Sequence, residues 1–293
     1  MSIEADKIIL ATGARPKSFP GMEYDRNRVI SFKEAMILDS PPKKMIIIGS
    51  GAIGSEFAYY YNEFGTEVHL IEMMDRILPV EDSDVSKEVA KSFKKSGIII
   101  STETKVSKIE SLETKVKVHT EKNGKEEILE GDVALLAVGV KGNIENIGLE
   151  ELGIITDQCA IIINEFNQTN IPTIYAIGDV SGPPWLAHVA SAQGHVAADH
   201  AAGHETKPVN YSNIPSCTYC QPQVGSLGMT EAQAKEKGHD VKVGKFSFQA
   251  SGKAMAVGNT TGFVKLVFDS KYGEFWVPIS LVRKQLNSSR NWV

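Results

Sequence analysis

Cysteine is scarce in the 293-residue sequence, which contains only three. So few cysteines in a chain of this length argue against a disulfide scaffold and fit a reducing compartment. Long apolar runs are missing too, so the sequence gives no sign of a segment that would span a bilayer as a helix. Basic residues are not in excess, because the net charge is −5. This composition predicts neither a nucleic-acid partner nor a polybasic membrane patch.

Internal repeats and low-complexity segments are also missing, and no targeting segment is predicted from the first residues. The first residues, MSIEADKIILATGARP, have no cationic lead and no long apolar region. They pass almost at once into a predicted strand at residues 7–10, so we expect further sequence upstream in the gene. What remains is 42% hydrophobic and 23% charged, which is typical of a globular protein with roughly two domains.

The segment after the stiff PPKK linker has the pattern of a βαβ unit. MIIIG is a continuous apolar run, as expected of a parallel strand buried on both faces. Ile53, Phe57 and Tyr60 then recur on one helical face, and Gly65 is a plausible C-terminal cap. TEVHLIE follows as a second strand. This order predicts an α/β fold with a parallel sheet.

The rest of the chain alternates between strand and helix signals. We predict a helix at 84–97, a hairpin turn at Asn123-Gly124 and a buried strand at 133–138. A short strand at 174–180 places Asp179 at its end, and an Ala-rich helix covers 185–202. From about residue 213 the pattern is β-rich, interrupted by one helix whose capping box joins Thr230 and Gln233.

The strongest local motif is Gly49-x-Gly51-x-x-Gly54, which follows the first strand and opens the helix. In this setting the glycines allow a tight turn, close approach of a pyrophosphate and helix–sheet packing. The helix N-terminus offers free N–H groups to phosphate. Glu72 ends the second strand, where it would accept a ribose 2′-hydroxyl and repel a 2′-phosphate. The motif therefore predicts a site for NAD rather than NADP; the alternative is that the glycines serve only a turn.

Several stretches together carry a family resemblance. ATGARP, GSGAIGSEF, HLIE, AVG and YAIGDV occur in an order that resembles the flavoprotein disulfide reductases, which have two dinucleotide-binding domains. IPSCTYCQPQVGSLGMTEAQAKEKG resembles the start of the interface domain of dihydrolipoyl dehydrogenase, the E3 component of 2-oxoacid dehydrogenase complexes. GVKGNIENIGLEELGI and GPPWLAHVASAQG are also closer to that enzyme than to glutathione or mercuric reductase. The resemblance covers residues 3–274.

The resemblance implies NAD and FAD as cofactors and assigns residues to each. The glycine motif with Glu72, Val106 and Gly139 would line the NAD site, and Glu56 would lie near the nicotinamide–flavin contact. Thr12 and Gly13 would lie on FAD, Asp179 would bind its ribityl chain, and the backbone of Ala187 and His188 would meet its ring. The full set of implied cofactor-binding residues is Thr12, Gly13, Gly49, Ser50, Gly51, Ala52, Ile53, Gly54, Glu56, Glu72, Val106, Gly139, Asp179, Ala187 and His188.

The same resemblance predicts the domain order. We expect an α/β fold in which an NAD-binding Rossmann-like domain and a partial FAD-binding domain are followed by an incomplete α+β interface domain. The predicted segments are a partial FAD-binding domain at 1–40, the NAD-binding domain at 41–160, a returning FAD segment at 161–207, the partial interface domain at 208–274 and a tail at 275–293.

Two departures from the family weaken the expectation of activity. The family's Cys-x-x-x-x-Cys redox pair, the lysine that partners Glu56 and the C-terminal His–Glu pair do not occur in this sequence, so no catalytic residue is assigned. The family YxxPE motif also reads YCQPQ, with Gln223 in place of the acid. We therefore expect this chain alone not to oxidise dihydrolipoamide.

The cysteines and histidines offer no substitute site. PSCTYC is predicted to be a strand, in which Cys217 and Cys220 would point to opposite faces and could not pair. We expect a buried structural Cys217, an incidental Cys220 and a turn at Cys159. His188 and His195 share a helix face, but no carboxylate or cysteine joins them, so no metal site is predicted.

The tail after Glu274 does not resemble the family, which usually continues with a strand like ILGAHLIGPEATE. Phe275 to Leu281 can be encoded by TTT TGG GTG CCC ATC TCA TTG, and from the third base this DNA encodes Leu-Gly-Ala-His-Leu-Ile. We predict that residues 275–293 are out of frame, through loss of an A from GAA ATT TTG. The interface sheet would then lack its last strands, and no function is assigned to the tail.

The resemblance also implies partners and a location. They are a homodimer, the E2 acyltransferase core and dihydrolipoamide as substrate, in the cytoplasm of a bacterium or the mitochondrial matrix of a eukaryote. Two alternatives remain open at this point. The chain could be an NADH-binding module or diaphorase-like flavoprotein, or it could belong to another disulfide reductase of the mercuric or glutathione type.

Overall fold

The structure is a computed structural model that describes residues 3–270 and the backbone of residues 275–281. Over this part of the chain the fold is α/β, as the sequence predicts. The residues of the tail beyond 281 lie outside the described part. In the described residues, no helix is both long and apolar enough to cross a membrane.

Short strands and a few helices follow one another along the described part of the chain. The strands are β1 (Ile8–Leu10), β2 (Ala14–Pro16), β3 (Val29–Ile30), β4 (Lys44–Ile48), β5 (Glu67–Ile71), β6 (Ile99–Ser101), β7 (Lys105–Ser111), β8 (Val116–Lys122), β9 (Lys125–Gly131), β10 (Val133–Leu136), β11 (Val140–Gly142), β12 (Thr156–Asp157), β13 (Ala160–Ile161), β14 (Ile174–Ala176), β15 (Pro215–Thr218), β16 (Val224–Leu227), β17 (Val241–Ser247), β18 (Phe263–Asp269) and β19 (Phe275–Leu281). The helices are α1 (Phe32–Ala35), α2 (Ala52–Glu63), α3 (Ser83–Lys95), α4 (Ala187–Ala201), α5 (Glu231–Glu236) and α6 (Gly252–Ala256).

The chain divides into two compact units. The first unit contains Met1–Lys17 and Gly139–Tyr211, and the second contains Ser18–Val138 and Ser212–Val293. These divisions differ from the sequence boundaries at 40 and 160. The reason is strand pairing: β3 joins the sheet of the second unit through β10, whereas β11 pairs with β2 in the first unit.

A parallel sheet with strand order β3-β10-β4-β5-β6 forms the centre of the second unit. Its strands are continuous apolar runs because both faces are buried; Ile46 and Ile47 are fully inaccessible. On one face, Ala58 of α2 and Val89 of α3 join the main apolar cluster. The predicted βαβ unit is therefore present, and the carboxyl ends of β4 and β5 lie side by side at one edge.

A three-stranded antiparallel sheet, β7-β8-β9, packs on the other face of the parallel sheet through Val116 and Val118. Its hairpin turns at Asn123 and Gly124, which both have positive φ angles of 53° and 75°. That conformation is the two-residue hairpin turn predicted from the Asn-Gly pair.

The last sheet of the second unit has the order β15-β16-β19-β18-β17. The capping box of Thr230 and Gln233 opens α5, as predicted. Residues 275–281 form β19, which pairs with both β16 and β18. The expectation that this sheet lacks a strand after Glu274 is therefore wrong, because the backbone of the tail itself supplies a central strand.

The first unit is built on short strands and one long helix. Parallel pairing joins β1 to β14, with Leu10 opposite Ala176, while β2 pairs with β11 and β12 with β13. Leu149, Ile161 and Val180 belong to its apolar cluster. Asp179 lies in a 3-10 helix (Gly178–Ser181) just beyond β14 rather than in the predicted strand.

Candidate functional site

The glycine loop (residues 49–54) joins β4 to α2 in the second unit, and two of its glycines cannot be replaced without a clash. Gly49 has φ +96°, and a Cβ there would lie 2.4 Å from the carbonyl oxygen of Ala137. A Cβ on Gly54 would lie 1.8 Å from the carbonyl oxygen of Gly49. These contacts show that the motif is required for the close packing of the loop, the helix and the neighbouring strand.

Gly51 differs from the other two glycines because space is open around it. A Cβ on Gly51 would have no neighbour within 4 Å. Gly51 is also the N-cap of α2, and no side chain caps the N–H groups of this first turn. An uncapped helix N-terminus beside open space fits a phosphate group, because its N–H groups and dipole favour negative charge.

Glu72 follows β5 and lies beside the glycine loop. Its Oε2 accepts hydrogen bonds from the backbone N–H and the hydroxyl of Ser50, at 2.9 and 2.6 Å, and its Oε1 accepts the N–H of Met74 at 2.9 Å. The side chain is 8% exposed. The structure thus brings the two main elements of the predicted nucleotide site, the loop and the carboxylate, into direct contact.

The other predicted NAD-site residues occupy different positions. Ala52 is exposed in the first turn of α2, and Ile53 packs against the main apolar cluster. Val106 lies in β7, where its half-buried side chain packs on the cluster that includes Ile71. Gly139 (φ +99°) begins the second segment of the first unit, and its carbonyl accepts the N–H of Lys17 at 3.0 Å.

Glu56 lies one turn further along α2 and contacts the last sheet of the second unit. Its Oε1 accepts the backbone N–H of Tyr219 at 2.8 Å. Burial raises the pKa of Glu56, and the hydrogen bond from Tyr219 offsets only part of this rise. The carboxylate therefore links α2 of the βαβ unit to the segment that directly follows β15 in the same unit.

In the first unit, Thr12 and Gly13 follow β1 and are held by Asn143, a residue that sequence reasoning did not identify. The Thr12 hydroxyl donates to the carbonyl of Asn143 at 2.8 Å, and the Asn143 amide donates to the carbonyl of Thr12 at 2.8 Å. The backbone N–H of Asn143 also donates to the carbonyl of Gly13 at 2.9 Å. These bonds fix the turn that the resemblance places on FAD.

Asp179 lies near the same sheet edge as Thr12, because each follows the carboxyl end of one of two paired parallel strands. Its 3-10 helix is held by Gln193 of α4, another residue that the sequence did not single out. The Gln193 Oε1 accepts the N–H of Gly178 at 2.7 Å, and its Nε2 donates to Tyr211 Oη at 2.8 Å. Gln193 is 4% exposed, so these bonds are shielded from water.

Ala187 and His188 form the first turn of α4, as the resemblance requires for backbone contacts with a cofactor. Both are exposed, and Leu186 at the N-cap provides no side-chain hydrogen bond. As at the start of α2, no capping side chain accepts a hydrogen bond from the N–H groups of this turn.

The cysteines lie differently from the prediction. Cys217 is in β15 and partly exposed, whereas Cys220 follows the strand and is 2% exposed, so the expectation of a buried Cys217 and an incidental Cys220 is wrong. Burial raises the pKa of the Cys220 thiol to about 12. Neither cysteine forms a disulfide, and Cys159 lies in the β12–β13 turn as predicted.

A buried charge cluster in the second unit was also missed. Lys265 of β18 is 2% exposed, and its Nζ lies 2.9 Å from Asp82 and 2.7 Å from Glu231. The strand period could have indicated this, because Lys265 lies two residues from both Phe263 and Val267 and so shares their buried face. Its partners come from α3 and α5, which the local sequence does not place next to β18.

Comparison with known proteins identifies the same regions. Residues 1–194 match the sequence model described as "Pyridine nucleotide-disulphide oxidoreductase", and residues 214–275 match the dimerisation domain of the same name. Dihydrolipoyl dehydrogenase of Rhizobium etli is 46% identical over 272 residues, covering 92% of this chain and 56% of that protein. The chain spans 56–59% of the length of the first curated relatives it matches.

Solved structures agree with this assignment. LpdA from Mycobacterium tuberculosis has a TM-score of 0.87 at 26% identity, covering 95% of this chain and 60% of the other. The HOCl-induced flavoprotein disulfide reductase RclA from Escherichia coli has a TM-score of 0.86 at 27% identity, covering 96% of this chain and 64% of the other.

Proposed function

Because the chain belongs to the pyridine nucleotide-disulphide oxidoreductase family, we propose that it carries the NAD(H)-binding part of a dihydrolipoyl dehydrogenase. One observation carries the proposal. The open, uncapped N-terminus of α2 at Gly51 lies next to a carboxylate, Glu72, that is bonded to the same loop. This is the arrangement that receives a pyrophosphate and an adenosine ribose together.

The proposed cofactor is NAD(H) rather than NADP(H). Glu72 can accept a hydrogen bond from a ribose hydroxyl, whereas its charge repels a 2′-phosphate. The helix N-terminus would attract the pyrophosphate of either cofactor, so discrimination depends on the carboxylate. Ala52 and Ile53 of the first helical turn would offer backbone N–H groups to the pyrophosphate, while Val106 of the same unit is proposed to complete the site.

We propose FAD as the second cofactor, with Thr12, Gly13 and Asp179 contributing part of its site. The reciprocal bonds of Asn143 fit a fixed turn at Thr12, and the Gln193 bonds fit a fixed Asp179. The exposed first turn of α4, with Ala187 and His188, fits backbone contacts with the flavin ring. When bound, FAD supplies the two-electron redox chemistry. In the second unit, Glu56 is proposed to lie near the nicotinamide of NAD(H).

For the whole protein we propose oxidation of protein-bound dihydrolipoamide by NAD⁺. The proposed partners are a second copy, through the region that matches the dimerisation domain, and the E2 acyltransferase of a 2-oxoacid dehydrogenase complex. The proposed location is the bacterial cytoplasm. The relatives' shared name, dihydrolipoyl dehydrogenase, favours this function over a mercuric or glutathione reductase.

The 293-residue chain by itself is proposed to bind NADH without oxidising dihydrolipoamide. Its cysteines are at positions 159, 217 and 220, so none has the spacing of the family's redox pair. Cys220 is buried and its pKa is raised to about 12, which opposes a thiolate role. This favours an NADH-binding module as the second candidate function of the isolated chain.

The purified chain tests both proposals. We expect saturable binding in a titration of NADH, weaker binding of NADPH and no dihydrolipoamide-dependent reduction of NAD⁺. A visible spectrum shows whether the preparation carries flavin, which separates a flavoprotein from a module that binds only NADH. Dihydrolipoamide turnover at the rate of an intact relative, or equal affinity for the two nucleotides, would contradict the proposal.

We also propose that residues 275–293 are encoded out of frame. The match to the dimerisation domain extends to residue 275. In addition, β19 places Pro278 opposite Leu266 within the sheet, although proline cannot donate a ladder hydrogen bond and is confined mainly to edge strands. Both observations support a change of frame at Glu274.

A further inference from the structure

Ser50 uses both of its hydrogen-bond donors on a single atom of Glu72. Its backbone N–H lies 2.9 Å from Glu72 Oε2, and its hydroxyl lies 2.6 Å from the same oxygen. Ser50 is fully buried, so its side chain is not presented to a ligand at the glycine loop. Any effect of Ser50 on a bound nucleotide must therefore pass through another residue.

The direction of the short bond follows from the chemistry of the two groups. An ionised carboxylate can only accept, so the Ser50 hydroxyl donates its hydrogen to Glu72. The backbone N–H of Ser50 is also committed to Glu72 and is not available to a pyrophosphate. Phosphate binding is left to the N–H groups that begin at Gly51, where the space is open.

Glu72 retains limited capacity for a ligand. A carboxylate has about four lone-pair positions, and three are used by the two Ser50 donors and the N–H of Met74. Because Oε2 already holds both bonds from Ser50, the remaining position is on Oε1. The carboxylate therefore offers one oriented acceptor rather than a freely rotating group.

We infer that Ser50 is a positioning residue for cofactor choice: its hydroxyl fixes the Glu72 carboxylate so that Oε1 receives the adenosine ribose of NAD(H). The inference rests on the proposed binding of NAD(H). An acceptor that is already oriented loses less conformational freedom when the ribose binds. Without the hydroxyl, Glu72 keeps its charge and still repels a 2′-phosphate, but it holds the ribose hydroxyl less well.

Three variants test this role in titrations with NADH and NADPH. Ser50→Ala removes one oxygen and keeps the backbone N–H, so we expect NADH to bind about fivefold to tenfold more weakly, within the usual net contribution of one hydrogen bond. NADPH affinity should change less than twofold or so, because it does not use this acceptor. Glu72→Gln should reduce the NADH preference further. In the double variant, Ser50→Ala should have no additional effect.

Ser86→Ala is the matched control. Ser86 is also a buried serine at 1% exposure, but its hydroxyl donates to the carbonyl of Leu78 at 3.2 Å and does not contact Glu72. It should leave the NADH-to-NADPH affinity ratio unchanged, even if it lowers stability. Circular dichroism and thermal unfolding of each variant separate loss of fold from loss of discrimination.

The outcomes separate this inference from the proposed function. If Glu72→Gln weakens NADH binding but Ser50→Ala leaves the affinity ratio unchanged, the positioning role is wrong and NAD(H) binding stands. An equal loss from Ser50→Ala in the wild-type and Glu72→Gln backgrounds also overturns it, because Ser50 would then act independently. If wild type does not bind NADH, both the proposed function and the inference fail. If wild type binds NADH but Glu72→Gln has no effect, NAD(H) binding stands, while the role of Glu72 in cofactor choice and the inference that depends on it fail.

Discussion

Lys265 and Asp82 form a fully buried ion pair that joins a strand of the last sheet to the start of α3. Nζ of Lys265 lies 2.9 Å from Oδ1 and 3.0 Å from Oδ2 of Asp82, and the two side chains are 2% and 3% exposed. Asp82 also caps α3 by accepting the N–H of Asp84 at 3.0 Å. One carboxylate thus serves both the helix start and the contact between sheet and helix.

Replacing Lys265 with methionine should strongly destabilise the second unit. Methionine fills similar space but leaves Asp82 buried without its cation, and a broken buried pair typically costs about 3–5 kcal/mol. Although burial alone would lower the pKa of Lys265, the bonds to Glu231 and Asp82 raise it overall, so the ammonium is charged in the fold. Urea unfolding followed by circular dichroism measures the loss.

Lys245→Met provides the comparison for that experiment. Its Nζ lies 3.2 Å from Asp84, but its side chain is 45% exposed, and exposed pairs contribute at most about 1 kcal/mol. Equal losses of stability from the two substitutions would show that the buried Lys265 ion pair contributes no more to stability than the exposed Lys245 pair. A neutral Lys265→Met would have the same implication.

Features that depend on residues close together in the sequence could be predicted, whereas those that depend on distant residues could not. The glycine loop, the Asn123-Gly124 turn and the Thr230 capping box depend on neighbouring residues, and all were predicted. Partners far along the chain hold Lys265, Asn143 and Gln193 in place, so no local sequence pattern could identify those partners. Cys220 was misjudged because strand alternation was extended past Thr218, where the strand ends. The tail was expected to leave a gap, yet residues 275–281, which are rich in β-prone aromatic and branched side chains, form a strand.

Glu81 should make the protein less stable as the pH rises. Burial raises its pKa, Asp82 raises it further, and the bond from Ser226 only partly opposes this. Because the pKa is higher folded than unfolded, the folded state binds the proton more tightly. The resulting loss of unfolding free energy is absent below the pKa of about 4.3 in the unfolded state. It grows as the pH rises through the pKa of the folded state and is then constant.

Glu81→Gln should remove that dependence. The amide can still accept from Ser226 but carries no charge, so the free energy of unfolding should increase more at pH 7.5 than at pH 4.5. Urea unfolding across this pH range measures the effect, with Glu63→Gln on the exposed side of α2 as the control. A larger gain at the acidic end would mean that the sign of the Glu81 contribution is reversed.

Two alanine substitutions in the glycine loop should separate folding from binding. Gly54→Ala places a Cβ 1.8 Å from the carbonyl oxygen of Gly49, so we expect a loss of several kcal/mol in stability. Gly51→Ala meets no atom within 4 Å and has a negative φ, so its unfolding free energy should change by less than about 1 kcal/mol. The added methyl would instead occupy the space proposed for the pyrophosphate.

NADH titration and thermal unfolding of both glycine variants provide the measurements. We expect Gly51→Ala to unfold near the wild-type temperature while binding NADH at least about tenfold more weakly, since the backbone can no longer approach the phosphates. Wild-type NADH affinity in Gly51→Ala would show that the pyrophosphate does not use this space. Full stability of Gly54→Ala would contradict the packing described for the loop.

The DNA across Glu274 should encode the family sequence in a second frame. We expect TTT TGG to follow GAA and the frame that starts at the third base to encode Leu-Gly-Ala-His-Leu-Ile and then Gly-Pro-Glu-Ala-Thr-Glu. The codons of β18, just upstream, provide the internal control, because their first frame already lies within the dimerisation-domain match. Codons after Glu274 that give no family-like sequence in the second frame would contradict the prediction.

If it holds, restoring the missing A should replace Pro278 in β19 with a residue that can donate a ladder hydrogen bond. The restored chain should then favour a dimer in light scattering, whereas the present chain should not.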